Sequence, residues 1–83
     1  MKLIITKRAQ KDLESLDKTT QKRIAEKLDQ MLVYPLSVDL KKLKGYENLW
    51  RLRVGDYRII LEIREQEITI YALRVMHRRE VYR

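Results

Sequence analysis

Cysteine is absent from this chain, and histidine, proline and glycine are nearly so, at one, one and two residues of 83. Without cysteine there is no disulfide framework and no thiolate metal site. One histidine leaves carboxylates as the remaining metal ligands, and their spacing matches no calcium loop. The sequence therefore gives no reason to expect a metal or any other cofactor. So little glycine and proline excludes collagen-like and linker compositions. No glycine-rich loop is present to cradle a phosphate, and no serine or cysteine stands in a nucleophile motif. No apolar run is long enough to span a bilayer. The opening Met1-Lys2-Leu3-Ile4-Ile5-Thr6 has too short an apolar core for a secretory signal. The expected compartment is the cytoplasm, with no membrane partner.

What is present is charge on a foldable background. Hydrophobic residues make up 45% of the chain, enough for a packed core, and 83 residues suit one domain spanning 1–83. Nineteen Lys and Arg against twelve Asp and Glu give a net charge of +7. A balance of this kind favours a polyanionic partner.

Hydrophobic periodicity orders the elements. Leu3 to Thr6 reads as a short strand, and Thr6 can cap a helix from about Lys7 to Leu16 with Ala9, Leu13 and Leu16 on one stripe. A second helix is predicted from about Thr19 to Val33, with Ile24, Leu28, Met31 and Leu32 as its stripe. Tyr34-Pro35 ends it, because the residue before proline resists helical geometry. Val38 to Gly45 reads as a connector carrying the basic cluster Lys41-Lys42-Leu43-Lys44. Three strands follow, Leu49–Val54, Tyr57–Arg64 and Glu67–Val75, joined at Gly55-Asp56 and Glu65-Gln66. The expected fold is α+β: an N-terminal strand, a helical hairpin, then a three-stranded antiparallel meander, with the helices on one face of a single sheet.

Pairing the strands across two-residue turns sorts the side chains. Trp50, Leu52, Val54, Tyr57, Ile59, Leu61, Ile63, Ile68, Ile70 and Ala72 fall on one nearly all-apolar face. Arg51, Arg53, Arg58, Ile60, Glu62, Thr69, Tyr71 and Leu73 fall on the other. Arg53 then stands opposite Arg58, and Arg58 opposite Leu73. Like charges directly opposed on a sheet are destabilising, by an amount within about 0.2–1 kcal/mol. A bound anion reverses that sign, and arginine is shaped to fork a phosphate. The alternative is that both side chains splay into water on a solvated face.

The tail from Met76 to Arg83 holds the one histidine, His77, with Arg78, Arg79, Arg83 and Tyr82. Histidine is the side-chain type suited to act as a general acid or base near neutral pH, so His77 is a candidate for that role. Tyr82 can stack on a base or donate a proton. The plainer readings are a surface histidine, a tyrosine that anchors the tail, and a solvated charged end.

The runs Leu43-Lys44-Gly45-Tyr46, Trp50-Arg51-Leu52-Arg53-Val54-Gly55-Asp56-Tyr57-Arg58-Ile59-Ile60 and Val75-Met76-His77-Arg78-Arg79-Glu80-Val81-Tyr82-Arg83 resemble the RelE branch of the RelE/ParE toxin superfamily. The resemblance covers essentially the whole chain. It implies a toxin of a type II toxin–antitoxin pair, held inactive by a cognate antitoxin, that cleaves mRNA in the ribosomal A site. The RNA's own 2′-hydroxyl attacks the adjacent phosphate, so neither metal nor protein nucleophile is needed. It implies catalytic roles for Arg53, Arg58 and Arg78, with Tyr82 and His77 at the nucleotide and its protons. Arg51, Lys41, Lys42 and Lys44 are the expected RNA contacts. Arg51 and Arg53 stand where some relatives carry lysine, and an arginine does not deprotonate to act as a base. Two other readings of the same fold remain: a ParE-like DNA gyrase inhibitor, and an inactive module that binds an antitoxin or nucleic acid.

Overall fold

Thr6 ends the first strand and starts the first helix. Its hydroxyl accepts from the Ala9 N–H at 3.2 Å and donates to the Ala72 carbonyl at 2.8 Å. One side chain thus caps a helix and pins it to the sheet. The structure, a computed structural model, describes residues 1–81. It runs β1 (Lys2–Ile5), α1 (Lys7–Glu14), α2 (Lys18–Val33), β2 (Asp39–Lys42), β3 (Leu49–Val54), β4 (Tyr57–Arg64), β5 (Thr69–His77) and a closing helical turn, α3 (Arg78–Val81). Single 3₁₀ turns lie at Pro35–Ser37 and Glu65–Glu67.

The strands form one sheet in the order β1-β5-β4-β3-β2. β1 lies parallel to β5, and the other neighbours are antiparallel. The α+β class stands as expected, but the meander has four strands rather than three. The extra one, β2, lies inside the segment read as a connector. Val38 and Leu40 pack against the core while Asp39 and Lys41 alternate with them, which is the period of a strand.

Ala9, Ile24, Leu28 and Met31 of the helices meet Leu52, Val54, Ile59, Leu61, Ile70, Ala72 and Val75 of the sheet in one core, so the helical hairpin covers one face. The apolar face is the one the alternation predicted, with one correction. Ile68 points into solvent, because the β4–β5 loop is longer than two residues. It contains the 3₁₀ turn and leaves Ile68 in the left-handed region at φ 53°. Arg64 therefore pairs with Thr69 and Ile63 with Ile70. This two-residue slip keeps every side chain on its face.

A bulge then adds one more residue. Leu61 pairs with Ala72 but Ile60 with Arg74, leaving Leu73 extra. From there the faces of β5 exchange. Val75 enters the core opposite Ile59, and Met76, not Leu73, stands opposite Arg58. Where β1 stops at Ile5, α1 takes over the exposed edge of β5. The Asp12 carboxylate accepts from the Val75 N–H at 2.9 Å and from Arg74 Nε at 2.9 Å.

Candidate functional site

The β3–β4 hairpin frames the site. Gly55 has φ +58°. The first central position of this tight turn requires such a value, and the turn sets Arg53 directly opposite Arg58. The guanidiniums do not splay apart. Arg53 Nε and Arg58 Nη1 both donate to the Gly55 carbonyl at 3.4 Å, and Arg58 Nη1 also reaches the Tyr57 carbonyl at 3.3 Å. Arg58 is only 5% exposed, although it lies on the face away from the helices. Its Nε is buried and has no hydrogen-bond partner among the described residues. Neither Arg53 nor Arg58 has a carboxylate partner among the described residues. A buried charge facing only carbonyl oxygens is poorly compensated, and an oxyanion is the group that would complete it.

Arg78 joins from the end of β5. Its N–H donates to the Asp56 carbonyl at 2.7 Å, tying the start of α3 to the same turn, and its guanidinium lies 4.0 Å from the Asp56 carboxylate. Three arginines therefore surround one hairpin turn.

His77 stands apart from them. It pairs with Tyr57 across β4 and β5, and its ring meets the Tyr57 ring edge-on with centroids 5.3 Å apart. Tyr57 packs against the core, so His77 shares the helix-side register and Arg58 the opposite one. The His77 Nδ1 accepts from the Arg79 N–H at 3.3 Å. Tyr82 lies outside the described residues.

The other basic residues divide. Lys41 pairs with Arg51 across β2 and β3, extending the arginine face. Arg51 Nη2 donates to Asp39 Oδ1 at 3.4 Å, and Arg51 Nε is buried without a hydrogen-bond partner among the described residues. Lys42 pairs with Trp50, in the opposite register, and lines an open groove of about 650 Å³ with Glu47, Ile63, Arg64 and Glu67. Lys44 is exposed in the loop between β2 and β3. The sheet thus brings together Arg51, Arg53, Arg58, Arg78 and Lys41, and leaves Lys42 and Lys44 elsewhere. Asp39 is the member of this face that sequence reasoning missed. The Val38-Asp39-Leu40-Lys41 alternation was the signal that could have placed it.

Residues 3–82 match the family described as ParE toxin of the type II toxin–antitoxin system, parDE. The chain is 37% identical to toxin RelE3 of Methanocaldococcus jannaschii, over 99% of this chain and 96% of that one. It superposes on the toxin of a RelB–RelE antitoxin–toxin complex from Methanococcus jannaschii with a TM-score of 0.80 and 35% identity, covering 95% of this chain and 94% of that one. An archaeal RelE–RelB complex from Pyrococcus horikoshii OT3 gives a TM-score of 0.78 and 32% identity, with 93% of each chain covered.

Proposed function

The chain belongs to the ParE toxin family of the RelE/ParE superfamily, and we propose from that premise that it is a RelE-like, ribosome-dependent mRNA endonuclease. The matching family carries the ParE name, whereas the relatives described above are RelE toxins. The RelE reading is preferred because of the site. Arg53 and Arg58, opposed across two strands and sharing one carbonyl, form an anion seat in which neither guanidinium has an ion-pair partner among the described residues.

In this reading the scissile phosphate displaces the Gly55 carbonyl as the acceptor of both guanidiniums, and Arg78 closes the third side. The RNA 2′-oxygen bonds to phosphorus as its proton departs. The bond from phosphorus to the 5′-oxygen breaks, and that oxygen gains a proton. The arginines stabilise the negative charge that builds on the phosphate oxygens in between. Orientation of the 2′-hydroxyl supplies much of the remaining acceleration. His77, on the helix-side register, acts only by seating the Arg78–Arg79 segment through its Nδ1, which leaves proton transfer to Tyr82 and water. Lys41 and Arg51 hold the flanking backbone, while Lys42 and Lys44 reach ribosomal RNA from the far end of the sheet. The protein partner is a cognate antitoxin, whose acidic segments suit the same basic face.

Induction of the wild type and of an Arg58→Ala/Arg78→Ala variant, with primer extension on a translated mRNA, tests this. The expected result is growth arrest with cleavage inside codons by the wild type only, and loss of at least about 10²-fold in cleavage by the variant. Arrest with intact mRNA and trapped DNA breaks would assign the chain to gyrase instead. No arrest would leave an inactive binding module.

A further inference from the structure

We propose that Asp39 is a built-in counterion of the arginine face, a carboxylate that occupies the guanidinium of Arg51 and is exchanged for an RNA phosphate on binding. The inference rests on the RNA reading above and adds how the face is held before RNA arrives.

The register supplies the placement. Asp39 stands opposite Arg53, and Lys41 opposite Arg51. Alternation puts Asp39, Lys41, Arg51, Arg53 and Arg58 on one face, with Asp39 the sole acid among these five. It lies on an edge strand with its side chain 41% exposed, free to rotate away from the sheet.

The contact itself is loose. A charge-assisted N–H to carboxylate bond is ordinarily about 2.7–2.9 Å long, and a carboxylate that fits an arginine fork engages Nε and Nη2 together. This chain contains such a pair: Asp12 takes Arg74 Nε at 2.9 Å and Arg74 Nη2 at 3.4 Å. Asp39 takes only Arg51 Nη2, at 3.4 Å, and the Nε on the same edge of that fork is buried with no hydrogen-bond partner among the described residues. The bond holds one edge of the guanidinium and leaves Nε unbonded but under cover, so a new ligand reaches Nε only when Asp39 and the guanidinium turn outward together. A phosphate, not tethered to β2 as Asp39 is, can then settle on both donors and displaces the carboxylate. An anion that cannot bridge the fork gains less and must still displace Asp39. The arrangement therefore favours a backbone phosphate in register over loose polyanion binding.

The test is fluorescence anisotropy of a labelled oligoribonucleotide of about ten nucleotides, titrated with purified protein between about 50 and 200 mM salt. Removing a unit charge a few ångströms from the docking phosphate corresponds to roughly five- to tenfold in affinity at low salt. Asp39→Asn is expected to bind that much tighter, with a log–log salt slope steeper by up to about 0.7 for one added phosphate contact. Asp29→Asn is the control. It adds the same charge, but Asp29 is exposed on α2, on the side of the sheet opposite the arginine face. Its affinity should change by less than about twofold, as for a remote screened charge. In an Arg51→Ala background the gain from Asp39→Asn should vanish.

Equal gains from Asp39→Asn and Asp29→Asn would reduce the effect to net charge and overturn the proposal. So would a gain that survives without Arg51, or an Asp39→Asn protein that binds no tighter while its melting curve matches the wild type. Absence of RNA binding by the wild type would bring down the RNA reading together with this inference. Binding by the wild type without the Asp39 effect would bring down this inference alone.

Discussion

Replacing Asp12 should cost this domain a large part of its stability, and the two obvious replacements should differ. Asp12 sits on α1 with its side chain 15% exposed. Its carboxylate accepts from Arg74 Nε at 2.9 Å, Arg74 Nη2 at 3.4 Å and the Val75 N–H at 2.9 Å, with Arg8 Nε 3.7 Å away. Asp12→Ala removes a charge-assisted bond to Arg74 worth about 1.5–3 kcal/mol, and strands a part-buried backbone N–H at about 1–3 kcal/mol. The two overlap, because water reaches part of the edge once the carboxylate is gone, so a net loss of about 2–4 kcal/mol is expected. That is a sizeable share of the ~5–15 kcal/mol typical of a domain. Asp12→Asn keeps an oxygen for Val75 and loses mainly the charge, so about half that loss is expected. Urea denaturation at neutral pH measures both.

The pH dependence gives a second handle. Burial pushes the Asp12 carboxyl upward. The Arg74 and Val75 hydrogen bonds, with the charges of Arg74 and Arg8, outweigh it and hold the group below the ordinary carboxylate range. A depressed folded value means the stabilisation is present above the unfolded value of about 3.9 and is lost as pH falls through the folded value. The wild type should therefore lose stability on acidification more steeply than Asp12→Asn, and the two curves should converge in acid. A loss below about 1 kcal/mol for Asp12→Ala, or parallel acid profiles for the two proteins, would refute the assignment of this clasp as the joint between α1 and β5.

Three further outcomes follow from single residues. Arg53→Ala relieves a like-charge pair. It should leave the urea midpoint unchanged or raise stability by up to about 0.5 kcal/mol, while weakening oligoribonucleotide binding; a destabilised variant would argue against that pairing. Ile68 is 64% exposed and holds φ 53°. A β-branched residue resists that conformation and asparagine tolerates it, so Ile68→Asn should stabilise by about 1 kcal/mol in thermal melts. The Tyr71 hydroxyl, which donates to Glu67 Oε1 at 2.8 Å, should titrate above the ordinary tyrosine range by ultraviolet absorbance, and Glu67→Gln should bring it back.

Much of the fold was legible because it obeys short-range rules. The Thr6 cap, the helical stripes through Ile24, Leu28 and Met31, and the β3–β4 register set by Gly55-Asp56 all rest on neighbours in sequence. β2 was missed because four residues with one proline upstream and two lysines inside resemble a loop. Only its pairing with β3 makes them a strand. The β4–β5 loop was misjudged because Glu65-Gln66 fits a two-residue turn as well as a longer one. An isoleucine in the left-handed region is what no propensity would choose.

The bulge at Leu73 had no local signal at all, yet it decides what the site contains. With the loop as observed and no bulge, Val75 would stand opposite Arg58 and Met76 opposite Tyr57. The extra residue instead turns Val75 into the core and sets His77 against Tyr57. It also brings the Arg78 N–H within 2.7 Å of the Asp56 carbonyl. The tail arginine reaches the hairpin turn because β5 has slipped by one, and the histidine leaves the arginine face for the same reason. Residues that look equivalent in the string His77-Arg78-Arg79 are therefore divided by a backbone irregularity several residues upstream. Arg58 marks the opposite case. Its place opposite Arg53 was readable from the turn, but its burial was not, because an arginine in a strand is normally solvated at its head. The buried guanidinium, with no carboxylate partner among the described residues, is the feature on which the proposed anion seat rests, and it exists only in the folded sheet.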